Sequence, residues 1–191
     1  VNSSAWGLIV TSENSNNTSN VCPSRRLITG IDSDGHSYAQ IDGPTRAFID
    51  YGRAASSEIW IDMGSEPSSQ DDLVSEQQML IPPEGGSVCR VFTMRPEGRI
   101  ELKSSEAKKF RTDGIMENDE INGPRWHTTA TIDYGFILKG QIELLLDDGS
   151  HFLSAGDVVV QRATRHAWRN PGPDDCEIAF VLIDRASRMA N

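Results

Sequence analysis

The 191-residue chain is long enough for one domain with its own hydrophobic core, alone or with appendages. A formal charge of -10 makes its surface repel phosphate backbones and anionic bilayers, which argues against nucleic-acid binding. Three cysteines (Cys22, Cys89 and Cys176), odd in number and without CxxC spacing, argue against a disulfide framework and a thiolate zinc site.

Gly and Pro recur between short apolar runs, a pattern that predicts strands and turns rather than helices. Residues 1–24, rich in Ser, Asn and Thr, read as a loosely ordered lead-in with one short strand over 6–10. Residues 25–42 read as a hairpin turned at Asp34-Gly35, which Gly43-Pro44 is expected to end. Period-2 alternation predicts a strand over 57–63, and a polar connection follows over 64–72. The run Pro82-Pro83-Glu84-Gly85-Gly86 feeds a strand over 87–94. The charged segment 97–123 reads as either a lid or an insertion, with a short helix capped by Ser104 or Ser105.

From Trp126 the pattern sharpens. A strand over 128–138 stops at Gly140, and another over 142–146 turns at Asp147-Asp148-Gly149 into 151–153. Gly156-Asp157 opens a strand over 158–162, a short one follows over 166–169, and Pro171-Gly172-Pro173 precedes the last over 177–184. Cys89 and Cys176 fall inside apolar runs, where Cys is a small core residue. Residues 1–24 are thus a lead-in and 25–191 a single domain. No apolar run reaches bilayer length and no basic-then-apolar leader opens the chain, so a cytoplasmic location is expected.

Residues 124–184 resemble the cupin superfamily, whose small double-stranded β-helix barrels are related to jelly rolls. The resemblance rests on two motifs, G(x)5HxH(x)3-4E(x)6G and a turn followed by H(x)3N. His127 falls on the leading His of the first, Asp133 on its Glu and Gly140 on its closing Gly. Gly156-Asp157 opens the second, and His166 with Asn170 keeps its final spacing. Thr129 stands where a second His is expected, Asp replaces Glu at 133, and the turn over 161–165 lacks the usual Pro and Gly. The pattern is similar to that of small single-domain cupins from bacterial and fungal secondary-metabolite pathways, some of them oxidoreductases. The resemblance implies an all-β double-stranded β-helix with extra N-terminal strands, and a biosynthetic enzyme.

In such a barrel His127, Thr129 and Asp133 share one strand face, and His166 arrives from the neighbouring strand. All four are expected to point into the barrel mouth, where small ligands bind. Two imidazoles and a carboxylate suit one divalent metal, whether iron, zinc or manganese. Without a metal, Asp133 would orient one imidazole as a base while the second serves as acid. Arg125 and Arg162 are candidates to hold an acidic or phenolate group, with Thr129, Tyr134 and Trp168 as further substrate contacts and Trp126 and Phe136 in the aromatic wall. His36 and His151 fall in turns, and Asp147 and Asp148 are turn chemistry rather than a metal pair.

The leading functional expectation is a small-molecule biosynthetic lyase or isomerase. It would dehydrate, isomerise, cyclise or decarboxylate a polyketide-like or aromatic intermediate. A metal-dependent oxidoreductase or dioxygenase and a non-catalytic ligand-binding cupin are the alternatives. A homodimer formed by sheet extension is expected, because free strand edges in residues 25–63 invite pairing.

Overall fold

A computed structural model describes residues 21–64, 71–74, 81–98 and 123–185. Among them are eleven strands and no helix. In chain order they are β1 (Arg25–Ile31), β2 (Ser37–Pro44), β3 (Phe48–Asp50), β4 (Ala54–Asp62), β5 (Ser87–Met94) and β6 (Thr131–Lys139). There follow β7 (Gln141–Leu146), β8 (Gly149–Ser154), β9 (Val158–Arg162), β10 (Ala167–Arg169) and β11 (Cys176–Asp184).

Strands β3-β4-β5-β11-β6-β9 form a six-stranded sheet, β10-β7-β8 a three-stranded one, and β1-β2 a separate hairpin. The last strand enters the middle of the large sheet, antiparallel to both β5 and β6. That insertion ties residues near the start of the chain to residues near its end. On β6 the alternation is clear: Thr131, Asp133, Gly135 and Ile137 are buried, while Tyr134, Phe136 and Leu138 are exposed. Gly135 has no side chain because the space is taken; a Cβ there would lie 2.8 Å from Val159 and 2.9 Å from Phe180. Gly140 turns β6 into β7 with φ +74°, a left-handed backbone that favours glycine.

Burial is not uniformly apolar. Ile137, Ile142, Cys176 and Ile178 form one cluster, with Met94, Leu153, Trp168 and Phe180 packed against it. Ala47, Ile61, Val74 and Val88 form another. The inward face of β6 runs from Ile137 through Gly135 to Asp133 and Thr131, so it changes from apolar to polar along one strand. Glu58 and Arg90 face each other on β4 and β5, 3.1 Å apart and both buried. A buried pair of this kind offsets two desolvation costs only while both partners stay in place.

Several elements differ from expectation. Pro44 does not end the hairpin but closes β2 opposite Arg25, at the end of an edge strand, where a missing N–H is tolerated. β4 begins at Ala54 rather than 57, because Ala54, Ala55, Ser56 and Ser57 are small enough to be buried on both faces. β3 is too short for its alternation to show. β6 begins at Thr131, leaving 128–130 irregular. The predicted strand over 6–10 and the helix after Ser104 lie outside the described residues. No helix of the described residues is long and apolar enough to cross a membrane.

Asn170, the last residue of the second motif, is a structural clamp. Its Nδ2 donates to the carbonyls of Met94 and Asp174, both at 2.9 Å, and its Oδ1 accepts from Gly172 N at 3.0 Å. It thereby joins the end of β5 to the turn before β11. Since Asn170 is 1% exposed, its removal strands two carbonyls without water. Asn170→Ala is expected to lower unfolding free energy by about 2–4 kcal/mol, measured by urea denaturation.

Candidate active site: a bridged imidazole pair beside a pocket

The two motif histidines meet through their backbones. His127 N donates to His166 O at 2.9 Å and His166 N to His127 O at 3.0 Å, an isolated antiparallel bridge. His127 leads into β6 and His166 into β10, so this bridge links the large sheet to the small one. Directly opposed residues bring their side chains together. The imidazole centroids are 4.2 Å apart, tilted by 53°. Trp168 stands edge-on to His166 at 6.2 Å and to Phe180 at 5.6 Å, and it walls the pair on one side.

Each imidazole is held in one tautomer. His127 Nδ1 lies 2.9 Å from the Arg125 carbonyl, and His166 Nδ1 lies 2.9 Å from the Thr164 carbonyl. A carbonyl only accepts, so both Nδ1 atoms carry the proton and both Nε2 atoms keep a lone pair. Burial first, and then the neighbouring His127, lowers the His166 pKa from 6.5 to about 4. The pair therefore does not carry two protons near neutrality. The expected role of His166 as an acid does not fit this state, because its one N–H is committed to Thr164.

The Thr164 carbonyl is presented by the turn that lacks glycine. Ala163 there adopts φ +52°, a left-handed backbone costing an alanine about 1–2 kcal/mol, and its N–H is fastened to Thr131 O at 3.0 Å. Strain of this kind persists where surrounding bonds over-determine it.

Asp133 is buried on the inward face of β6. Its Cα partners are Leu182 on β11 and Gln161 on β9. Burial raises its pKa, opposed by a hydrogen bond from Thr131 and the charge of Arg90. Thr131 Oγ1 is in turn 2.7 Å from Thr129 Oγ1, so Thr129 belongs to this polar chain. Oδ1 of Asp133 and Nε2 of Gln161, both buried, have no hydrogen-bond partner among the described residues. The expected convergence of His127, Asp133 and His166 on one point is not seen. Their ligand atoms do not all lie within 4.8 Å of one another.

A metal ion would draw such atoms to roughly 3–3.5 Å from one another, given bonds of ~2.0–2.2 Å. The imidazole pair suits a metal, since each Nδ1–H is anchored to a carbonyl in the manner of metal-ligating histidines. The carboxylate does not complete the set in this arrangement. The close group that does occur, Asp32, Asp34 and His36, is exposed in the first hairpin turn. There Asp32 Oδ1 accepts from the N–H groups of Asp34 and His36, which is turn chemistry.

A pocket of about 120 Å³ opens between the ends of β4 and β5 and strand β10. His127, Arg125 and Trp168 line it, together with Phe92, Met94 and Arg53. The other predicted contacts are not on its wall. Tyr134 and Phe136 point outward from β6, and Arg162 is exposed, because alternation turns Asp133 and Gln161 inward instead. Trp126 stacks under Arg165 at 4.1 Å. Glu58, Arg90, Gln161 and Arg53 were not singled out from sequence. The first three follow from strand parity once the inward face is known, and parity was ambiguous in runs as short as 158–162; Arg53 precedes β4 and only the fold places it.

Residues 115–183 match the family model of the cupin domain. Over that region the chain is similar to cupin domains, and its strands fit the double-stranded β-helix of that fold. It is 37% identical over 109 residues to phomopsin biosynthesis cluster protein C' of Diaporthe leptostromiformis, covering 54% of this chain and 45% of that protein. It is 53% identical over 62 residues to a cupin-domain-containing oxidoreductase of Neurospora crassa, covering 30% of this chain and 32% of that one. These matches thus span less than half the length of the curated relatives. Among solved structures, the Schizosaccharomyces pombe Cnp3 cupin domain aligns with TM-score 0.48 and 9% identity, over 87% of this chain and 91% of that one.

The low pKa of His166 makes stability depend on pH. The folded value, about 4, lies below the unfolded 6.5, so this contribution is complete above 6.5 and is lost as pH falls towards 4. Asp133, with its pKa raised, acts in the opposite sense, favouring the fold at acid pH. Lowering pH from 7 to 5 is expected to cost about 2 kcal/mol through His166. Urea denaturation at the two pH values checks this; His166→Gln should flatten the dependence.

Proposed function

We propose that the protein is a small-molecule biosynthetic enzyme that moves a proton, with His127 as the base. The observation that carries this reading is the locked tautomer of His127 on the wall of a pocket: Nδ1–H is spent on Arg125 O. Nε2 takes a proton from a carbon beside a carbonyl, and the resulting imidazolium returns it to another atom of the same intermediate. The products are isomerised, or dehydrated where a hydroxide leaves with the returned proton. His166, neutral at pH 7, accommodates one imidazolium beside it. Arg125 and Trp168 position the substrate, and Asp133 with Thr129 shapes the polar interior behind the pair. The names of the relatives support a biosynthetic setting; a polyketide-like or aromatic intermediate is part of the proposal.

A metal-dependent oxidoreductase is the second reading, favoured by the printed name of the Neurospora relative and by the two Nε2 lone pairs. It requires Asp133 to approach the imidazoles. Under the first reading, protein dialysed against chelator keeps its activity, read as solvent-deuterium incorporation into β-keto aromatic probes by NMR. His127→Ala should lower that rate by roughly 10²–10⁴-fold. Stoichiometric iron, with activity that returns only on adding it back, would decide for oxidation.

We also infer a homodimer. Val158 and Val160 on edge strand β9 lie opposite Phe136 and Tyr134, leaving an exposed apolar stripe on the large sheet. Light scattering is expected to give about twice the 21.0 kDa chain mass, and Phe136→Lys to reduce it towards the monomer.

A further inference from the structure

The proton-transfer reading leaves the cations of the pocket unexplained. Arg53, Arg95, Arg125 and Arg169 all line it, against a single lining carboxylate among the described residues, Glu97. On a chain with a formal charge of -10 this is a local concentration of guanidinium groups, two of them offset by carboxylates behind the wall. Two of the four are held from behind. Arg95 makes paired bonds to Asp50 at 2.9 and 2.7 Å and a third to Gly52 O at 2.7 Å. Arg169 is bound by the buried carboxylate of Glu143. Neither Asp50 nor Glu143 lines the pocket, so both guanidiniums are fixed in place without their partners filling the space in front.

Arg53 is held more loosely. It follows Gly52, whose φ of +85° turns the chain into β4, and it meets Glu97 at 3.7 Å, beyond hydrogen-bond length. Ala54, Phe92, Met94, Pro124 and Trp168 make most of the remaining wall apolar and partly aromatic, with His127 and Asn170 its polar members. A small, largely apolar pocket with guanidinium forks at its rim selects one planar anionic group attached to a hydrophobic body. A larger, more hydrated phosphate matches the forks but not the apolar wall.

We propose that this pocket binds a carboxylate-bearing small molecule, its carboxylate on Arg53 and Arg125 and its planar apolar body against Trp168 and Phe92. The assignment of this molecule as the substrate rests on the proton-transfer reading, in which the anchored body faces His127. The binding itself does not, so the two can fail separately.

Isothermal titration of the full chain with phenylacetate and with neutral phenylacetamide tests the proposal without turnover. Phenylacetate is expected to bind at least about tenfold more tightly, the effect of a charge-assisted hydrogen bond. Arg53→Gln and Arg125→Gln should each reduce that preference and the double variant abolish it. Unchanged phenylacetamide affinity and an unchanged melting curve would show the variants folded. Equal affinity for the two probes, binding of neither, tighter binding of inorganic phosphate, or a preference intact in the double variant would overturn the proposal. An intact preference in His127→Ala protein that has lost turnover sustains it, whereas loss of the proton-transfer activity alone leaves it standing.

Discussion

The whole site hangs on two backbone hydrogen bonds between His127 and His166. Because the residues are directly opposed, their rings are adjacent regardless of the side chains around them. The bridge does not belong to a continuous ladder. It is an isolated contact between the lead-ins to two strands of different sheets, and it is secured by what flanks it. On one side Ala163 is pinned to Thr131, and on the other Asn170 clamps the turn that follows β10. The imidazoles inherit their orientation from main-chain carbonyls two residues upstream, so the backbone fixes the tautomers as well as the positions.

The interior divides its labour by layer. Apolar side chains of β6, β7 and β11 hold the sheets together near Ile137, Ile142 and Ile178. Further along β6, and on β9, β4 and β5 of the same sheet, the interior carries Asp133, Gln161 and the Glu58–Arg90 pair. Buried polar groups of this number weaken a fold unless they are matched, and Asp133 Oδ1 and Gln161 Nε2 have no hydrogen-bond partner among the described residues. Stability thus rests on the apolar layer and the clamps, while the polar layer is where a ligand or water gains most from binding.

The relation between motif and geometry is looser than spacing suggests. His127 and Asp133 have the separation of ligands in the resembled motif, yet residues 128–130 leave the strand before β6 begins. Across that irregular stretch, strand alternation no longer dictates which way the imidazole faces relative to Asp133. Thr129, in place of an imidazole, bonds Thr131 and extends the chain of hydroxyls towards Asp133. The substitution therefore converts a ligand position into part of a hydrogen-bonded support.

What the sequence determined by itself is the local grammar. The strands over 87–94 and 158–162 appear at their expected bounds, and the Asp34-Gly35 and Asp147-Gly149 turns fall where short-range backbone preference puts them. Pairing of the two motif histidines was also legible, because their motifs name the lead-ins to β6 and β10. Which way each side chain faces was decided by tertiary structure. Parity in a five-residue strand is ambiguous until its partner is known, so Gln161 turned inward and Arg162 outward only once β9 docked on β6. The pocket is further from the one-dimensional code still. Arg53, Arg95, Arg125 and Arg169 come from four separate stretches; Arg125 was marked by its place beside the first motif, but nothing local distinguishes the other three from surface arginines, and only the folded sheets bring all four to one wall.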